Sequence, residues 1–208
     1  MPEPDAPRLT SEQRRAQLIS AARDVFIRHG LSGARTRTIA EYAGVSEALL
    51  YQHFPSKEAL FEAAILGPLE ELTATLAEQC AQLPSLAGPQ RRSTSVDIHA
   101  AVLRSMTEIA PLLGLALFSK RASGKIFYTE QIHPMLERTV ESVTKALAGW
   151  EHATVNPSTL VSMIFGTYYW VGMQATFTDT EIDVNALASE VTDILVRAVK
   201  PQRPVSAG

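Results

Sequence analysis

Residues 36–57, TRTIAEYAGVSEALLYQHFPSK, decide the fold that this sequence predicts. Apolar residues at helical spacing predict one short helix before Gly44 and a second after Ser46. Gly44 can adopt the left-handed conformation that ends a helix. Ser46 can accept a hydrogen bond from the free amides that begin the next one. Two helices joined by a short, glycine-containing turn are typical of the helix-turn-helix, so the stretch predicts a DNA-binding unit.

The preceding segment predicts a third helix for the same small bundle. Thr10 and Gln13 have the spacing of a capping box, and Gly30 is a natural stop. Between them, apolar residues recur at the spacing of one helical face: Leu18, Ala21, Ala22, Val25 and Phe26.

Downstream, the pattern predicts a connecting helix that begins after Ser56. Gly67-Pro68 interrupts its apolar face, so we expect a bent connector, although two separate helices fit the pattern nearly as well. Residues 84–95 carry several prolines, glycines and serines and are interpreted as a loop.

The remainder of the chain is helical in pattern. Between residues 96 and 150 we expect breaks at Pro111, Ser123-Gly124 and Pro134, and the last helix is expected at Val184–Val199. The uncharged stretch from Leu160 to Phe177 approaches the length that spans a bilayer. Polar residues interrupt it and no basic cluster flanks it, so we favour a helix that meets the core on one face and a partner subunit on the other.

Composition and charge point to a globular protein with a basic N-terminal part. The chain has 208 residues, of which 46% are hydrophobic, and a single cysteine, Cys80, which suits a reducing cytoplasm. The N-terminus lacks the pattern of a secretion signal. Residues 8–57 carry a net charge of +4 and residues 58–208 a net charge of −5. This asymmetry is expected of a phosphate-binding module joined to an acidic body.

No constellation of residues predicts an enzyme. The sequence lacks a glycine-rich phosphate loop, a His-Glu-x-x-His motif and a nucleophile elbow. Cys80 is interpreted as a small core residue, and Asp97 and His99 would point away from each other on a helix. His133 and Glu137 could share a metal-binding face, but a solvated pair is the expected state. We therefore assign no catalytic residue, no cofactor and no metal.

A family resemblance follows from the spacing around the turn. The runs Gly44-Val45-Ser46, Leu50-Tyr51, His53-Phe54 and Ser56-Lys57-Glu58-Ala59-Leu60 resemble the DNA-binding domain of TetR-family transcriptional regulators. The resemblance covers about residues 14–65.

The resemblance implies that Ser46 through Phe54 form the helix that enters the major groove. Glu47, Ala48, Tyr51 and Gln52 would share the face that meets DNA. Gln52 can read adenine. Leu49 could meet a thymine methyl or belong to the core. Glu47 could accept a hydrogen bond from cytosine, or it could cap the start of the helix.

Other positions match phosphate contacts of the family. These expected anchors are Thr36, Arg37, Tyr51, His53 and Lys57. Such contacts set register and affinity rather than sequence preference. Two alternatives remain open from the residues alone, since Tyr51 could be a core aromatic and His53 a buried partner of a carbonyl. Arg35 stands where the family often has Thr or Ser.

The resemblance also implies the organisation of the whole chain. We expect an all-α protein with terminal tails at residues 1–9 and 201–208, a helix-turn-helix domain at 10–55 and a helical ligand-binding and dimerisation domain at 56–200. Helices near 158–178 and 183–200 would form a four-helix interface in a homodimer. We expect no membrane association. Candidate pocket residues are Met106, Phe118, Phe127, Met163, Tyr168, Tyr169 and Met173.

The function implied is that of a cytoplasmic repressor on a near-palindromic double-stranded DNA operator. A small, mainly hydrophobic effector, whose identity the sequence does not provide, would release it. Two alternatives are an activator of the same build and a helical small-molecule-binding protein without a DNA function.

Overall fold

The computed structural model describes residues 9–147, 155–178 and 180–199, with residues 198 and 199 described by their backbone alone. Within these ranges the chain forms helices and no strand, which confirms the predicted all-α class. The helices are α1 (Ser11–Gly33), α2 (Thr36–Tyr42), α3 (Glu47–His53), α4 (Lys57–Gln82), α5 (Gly88–Phe118), α6 (Arg121–Phe127), α7 (His133–Leu147), α8 (Pro157–Thr178) and α9 (Val184–Val199). The predicted tails, apart from Leu9, lie outside the described residues.

The chain divides into two compact units, one up to Gly67 and one from Pro68 onward. Helix α4 therefore contributes residues to both units. The domain boundary expected from sequence, between residues 55 and 56, stays a prediction beside this division.

Helix α1 begins with the predicted capping box. The Thr10 amide donates to Gln13 Oε1 at 2.9 Å, and the Gln13 amide donates to Thr10 Oγ1 at 3.2 Å. Gly30 interrupts the helical geometry with a φ of 65°, and one further turn follows before Ala34. The glycine thus ends the regular helix where the sequence predicts, while the chain continues in a helical turn to Gly33.

The core of the first unit is built from large apolar side chains that all its helices contribute. Fully or almost fully buried residues are Leu18, Phe26, Ile39, Leu50, Phe54, Leu60 and Phe61. The rings of Phe26 and Phe61 meet edge to face, with centroids 5.1 Å apart. Because burying one such side chain stabilises by about 1.5–3 kcal/mol, this cluster supplies the main driving force for a bundle of this size.

Helix α4 continues through Pro68 without ending. The alternative of two separate helices is therefore wrong. A proline inside a helix removes one hydrogen bond and costs about 3 kcal/mol. Burial on both sides of the proline offsets that loss, because Ile65 and Leu69 are almost completely inaccessible to solvent.

The predicted loop at residues 84–95 is mostly helical. A short 3-10 turn occupies Leu83–Ser85, and α5 begins at Gly88 with Pro89 in its first turn. Proline is favourable there because the first amides of a helix have no partner within it. The Arg91 guanidinium also donates from Nε to the Leu86 carbonyl at 2.8 Å, which fastens the helix to the preceding turn.

The breaks expected at Pro111 and Ser123-Gly124 are wrong, since both lie inside helices. Gly124 serves close packing instead: a Cβ atom there would lie 2.1 Å from the Leu117 carbonyl oxygen of α5. Pro134 stands in the first turn of α7, where a proline is tolerated. The end of α5 at Phe118 has no proline or glycine to mark it.

Helix α5 is the centre of the second unit and packs against α6, α8 and α9. Its buried side chains include His99, Leu103, Met106, Ile109 and Leu112. Gly172 of α8 allows a close crossing, because a Cβ there would lie 2.7 Å from the Met106 carbonyl oxygen.

By length and composition, one helix in the described part of the chain could span a membrane, Gly88–Phe118. A core helix of a globular protein meets the same criterion, and α5 buries nine side chains inside its unit. The stretch at 160–177 forms most of α8 and does not meet it.

Helix α9 spans Val184–Val199, as the sequence predicts. Asp183 caps it by accepting from the Ala186 amide at 2.9 Å. Arg92 of α5 donates to both carboxylate oxygens of Asp193, at 2.9 and 3.0 Å, and this hydrogen bonding lowers the Asp193 pKa. Ile194, an apolar residue of α9, is 57% exposed.

His99 is a polar residue in the core of the second unit. Its ring packs edge to face against Tyr168, with centroids 6.0 Å apart, and its Nδ1 atom has no hydrogen-bond partner among the described residues. Burial lowers the pKa of His99 to about 4. Burial also raises the pKa of the neighbouring Tyr168 hydroxyl. Both groups are therefore neutral in the folded protein near pH 7.

The buried histidine predicts an acid-sensitive second unit. In the unfolded chain His99 titrates near its ordinary value of 6.5, so between about pH 6.5 and 4 the unfolded state binds a proton that the folded state does not. The free energy of unfolding should have its full value above about pH 6.5 and should be roughly 2–3 kcal/mol lower near pH 4.5. Urea unfolding of wild type and His99→Leu at a series of pH values measures this contribution by difference. Equal pH dependence in the two proteins would contradict it.

Candidate nucleic-acid interface

The turn between α2 and α3 has the geometry of a Schellman motif. The Val45 amide donates to the Ala40 carbonyl at 2.9 Å, and the Gly44 amide donates to the Glu41 carbonyl at 3.1 Å. Gly44 has a φ of 65°, a conformation that favours glycine. The two bonds satisfy carbonyls that the end of α2 would leave free and set the direction in which α3 departs.

A side chain of α1 holds this turn in place. Gln17 donates from Nε2 to the Ala43 carbonyl at 3.0 Å and accepts from Arg14 Nη1 at 2.6 Å. Sequence reasoning missed this role. The signal was weak: a polar residue that borders the apolar stripe, directly before Leu18.

Helix α3 is capped and anchored as the sequence predicts. Ser46 Oγ accepts from the Leu49 amide at 3.2 Å, and Leu50 is completely buried. Phe54 is buried at the other end, beneath the guanidinium of Arg15, which lies 4.9 Å from the centre of the ring. These contacts fix the rotation of α3 about its own axis and so decide which side chains face outward.

The outward face of α3 carries three of the residues expected to meet DNA. Ala48, Tyr51 and Gln52 are exposed, and Tyr51 is 48% accessible. The alternative that Tyr51 is a core aromatic is therefore wrong. Leu49 and His53 are half-buried at the margins of this face.

Glu47 joins the starts of the two helices. Its Oε1 accepts a hydrogen bond from Thr36 Oγ1 at 2.5 Å, and the Thr36 oxygen lies 3.3 Å from the Tyr51 hydroxyl. Ser46, rather than Glu47, provides the side-chain cap of α3. Three predicted site residues from two helices thus meet in one polar cluster, Thr36–Glu47–Tyr51.

The basic side chains expected at the phosphates stand in two different settings. Arg37 is 80% exposed and donates from Nε to Glu41 Oε1 of its own helix at 3.0 Å. Lys57 donates from Nζ to the Ala34 carbonyl at 3.0 Å, which places its charge beside the start of α2. Arg35 occupies the N-cap of α2 without a side-chain hydrogen bond, so the first amides of α2 keep their capacity to bind an anion.

The second unit contains an apolar cavity of about 120 Å³. Its wall is formed by residues of α4, α5, α7, α8 and α9 and of the 3-10 turn: Cys80, Leu83, Ser95, Ile98, His99, Val143, Ala146, Leu147, Leu160, Ile164, Thr192, Leu195 and Val196.

None of the seven candidate pocket residues lines this cavity. Met106 and Tyr168 are buried in the core, whereas Phe118 and Met163 are exposed. Phe127, Tyr169 and Met173 are half-buried. Helical spacing identifies an apolar face but not whether a neighbouring helix fills the space beside it, so a ligand role for these seven stays a prediction.

His133 and Glu137 lie one turn apart on α7, with His133 Nδ1 and Glu137 Oε2 separated by 3.6 Å and both side chains exposed. Within the described ranges no group of three or more potential metal-ligating side chains is present. Cys80 is buried, and burial raises the pKa of its thiol.

Comparison with known proteins agrees with this arrangement. Residues 18–64 match the family model described as bacterial regulatory proteins, tetR family. The chain is 26% identical to the HTH-type transcriptional regulator RutR of Escherichia coli K12 over 94% of both chains. Over 65 residues, 31% of this chain and 30% of the relative, it is 43% identical to the HTH-type transcriptional activator FasR of Mycolicibacterium smegmatis.

The fold likeness extends beyond the matched segment. The fatty acid degradation regulator FadR from Bacillus halodurans superposes with a TM-score of 0.68 at 19% identity, covering 96% of this chain and all of that one. The glycine turn, the capped and outward-facing α3 and the family match lead to one conclusion. This chain belongs to the TetR family of bacterial regulatory proteins and is a DNA-binding transcriptional regulator.

Proposed function

We propose that this regulator is a homodimeric repressor that binds a near-palindromic operator and leaves it when a small, mainly hydrophobic effector binds the second unit. The observation that carries the proposal is the outward face of α3, where Ala48, Tyr51 and Gln52 are exposed beside the uncapped start of α2. A rigid helix with such a face suits the major groove.

Within this face, base readout is assigned to the side chains that can pair with base edges. Gln52 can bind adenine through its amide, which both donates and accepts. Ala48 is small and lets the helix backbone approach the bases. Leu49, half-buried at the margin, presents an apolar surface suited to a thymine methyl.

Phosphate binding is assigned to the groups around the base-reading face. Arg37 and Lys57 supply positive charge, and Thr36, Tyr51 and His53 supply polar atoms at the edges of the two helices. The free amides at the start of α2 add a favourable site for a phosphate between them.

The homodimer is assigned to α8 and α9. Met163, Trp170 and Phe177 are exposed on α8 at intervals of seven residues, which places them along one side of the helix, and Ile194 is exposed on α9. Apolar surface of this kind marks an interaction site. Two copies related by a dyad would bury these stripes against each other, and their α3 helices would meet half-sites about 34–36 Å apart.

Effector control is assigned to the second unit because it contains the apolar cavity. An effector can release the operator only if it binds the released state more tightly than the DNA-bound state. Helix α4 contributes residues to both units, so we assign it the role of the connector whose shift accompanies release.

An activator of the same build is the second candidate. It is favoured by the 43% identity of the DNA-binding segment to FasR, whose name describes an activator. Either role places the protein in the cytoplasm with its DNA. The position of the operator relative to a promoter separates the two, and transcription in vitro from a template that carries the selected site measures it.

Gln52→Ala and Lys57→Gln should change DNA binding in different ways. Removing the Gln52 amide should relax the base preference at one position of each half-site, at a cost of about 1–3 kcal/mol on the preferred sequence. Removing the Lys57 charge should weaken binding to all DNA sequences. It should also reduce the steepness of the plot of log binding constant against log salt concentration by about one per chain. Glutamine removes the charge and keeps an N–H donor on the side chain. Selection from a random DNA pool, followed by titration at several salt concentrations, measures both effects.

The matched outcomes make this comparison decisive. An unaltered selected sequence with Gln52→Ala would remove this residue from base readout. A salt slope unchanged by Lys57→Gln would place its charge away from the phosphates. If the wild type selects no sequence at all, operator binding by this face is refuted.

Glu47→Gln should strengthen DNA binding. The amide can still accept from Thr36, but the negative charge near the phosphates is lost, so we expect roughly three- to tenfold tighter binding at low salt and a smaller gain at high salt. Glu62→Gln, the same change of charge on α4, serves as the control and should have less effect. Weaker binding by Glu47→Gln, confined to sites with a cytosine at one position, would instead assign the carboxylate to base readout.

Trp170→Glu should convert the dimer to a monomer. A charge buried in an apolar interface costs several kcal/mol, enough to dissociate a dimer at micromolar concentration. Phe118→Glu makes a matched change at an aromatic residue that is 76% exposed outside α8 and α9, and it should leave the mass unchanged. Light scattering measures the mass. Dissociation by Phe118→Glu alone would move the interface elsewhere, and a monomeric wild type would refute the homodimer.

A further inference from the structure

Among the described residues of the cavity wall, one strongly polar side chain makes no hydrogen bond. Of the hydroxyls in this wall, Ser95 donates to the Arg91 carbonyl at 2.9 Å and Thr192 to the Ala188 carbonyl at 2.8 Å. Cys80 offers only a weakly hydrogen-bonding thiol. His99 is 7% exposed, and its Nδ1 atom has no partner in the described part of the chain.

A buried imidazole without a partner is unfavourable unless something else satisfies it. The ring lines the cavity, and a half-turn about its Cβ–Cγ bond exchanges its nitrogen and carbon edges within nearly the same volume. A ligand in the cavity can therefore meet a ring nitrogen. Because neutral imidazole has one donor and one acceptor, it can pair with a hydroxyl or a carbonyl.

The remainder of the wall sets the size and charge of the ligand. No Asp, Glu, Lys or Arg side chain is among the lining residues that the structure describes, so a charged ligand would be buried without a counter-ion. The cavity of about 120 Å³ is close in size to engineered apolar cavities of about 150 Å³ that hold benzene. A long acyl chain would need the helices to move apart.

We propose that this cavity is the effector site and that it takes a small, uncharged, single-ring-sized molecule whose one hydroxyl or carbonyl group binds His99. The effector role rests on the proposed regulatory function. The chemical class of the ligand rests on the cavity alone. His99 is the residue that distinguishes a hydrogen-bonding ligand from a purely apolar one.

Phenol and toluene, which have nearly the same shape, test the ligand class. The full-length wild type should bind phenol about tenfold more tightly than toluene by titration calorimetry, which is the contribution of one hydrogen bond. Phenol, and not toluene, should shift the ring nitrogen resonances of His99 in ¹⁵N-histidine spectra. Equal affinity for the two compounds, or no binding of phenol at millimolar concentration, would overturn the proposal.

Three variants localise the effect. His99→Leu should abolish the preference for phenol while toluene still binds. Ser95→Ala, which removes a wall hydroxyl that already has a carbonyl partner, should preserve the preference. Ala146→Leu, which fills the cavity, should abolish binding of both compounds. A preference for phenol that survives in His99→Leu would refute the assignment. Should His99→Leu not fold, the wild-type comparison and Ala146→Leu decide.

The link to regulation is tested separately with the selected DNA. Phenol should lower the affinity of wild type for this DNA, and His99→Leu should respond at least fivefold less. Phenol bound through His99 without any change in DNA affinity would overturn the effector role and leave the ligand class standing. Release by phenol that His99→Leu does not reduce would overturn the assignment to this cavity and leave the repressor proposal standing.

Discussion

Helices of seven residues do not hold their shape in water by themselves, and the DNA-binding unit depends on two of them, α2 and α3. Their stability comes from tertiary contacts. Leu50 and Phe54 are buried in the bundle, the Gly44 turn satisfies the end of α2, and Gln17 of α1 binds the carbonyl of the residue before that glycine. Each contact also restricts the rotation of α3. The exposed face that carries Tyr51 and Gln52 is thus a consequence of how the opposite face is buried.

The second unit obeys a different constraint, which is the close approach of long helices to α5. Gly124 and Gly172 lie where a Cβ atom would collide with the backbone of that helix. A small apolar space remains between the helices of this unit, and His99 in its wall is buried without a described hydrogen-bond partner. A protein whose core were built for stability alone would have no reason to keep a histidine there. The buried imidazole of His99 thus accounts both for the loss of stability at low pH and for the proposed binding of a polar group.

Much of the local structure could be predicted from the sequence because its causes lie within a few residues. The capping box at Thr10, the glycine turn at Gly44, the cap at Ser46 and the span of α9 all depend on neighbours three or four positions away. The breaks predicted from proline and glycine at Pro111 and Ser123-Gly124 were wrong, and so was the alternative of two separate helices at Gly67-Pro68. There, burial of the flanking side chains or close packing against a neighbouring helix outweighed the local preference for a break.

The sequence by itself determined the helical class, the helix-turn-helix and the family, since these follow from short-range spacing. Only the tertiary structure decided which distant residues pair with each other. Thr36 meets Glu47 across 11 positions, Gln17 meets Ala43 across 26, and Arg92 meets Asp193 across 101. The cavity beside His99 likewise belongs to five helices and a turn at once. Contacts of this kind depend on how helices pack, and helical periodicity records which face is apolar without recording what that face touches.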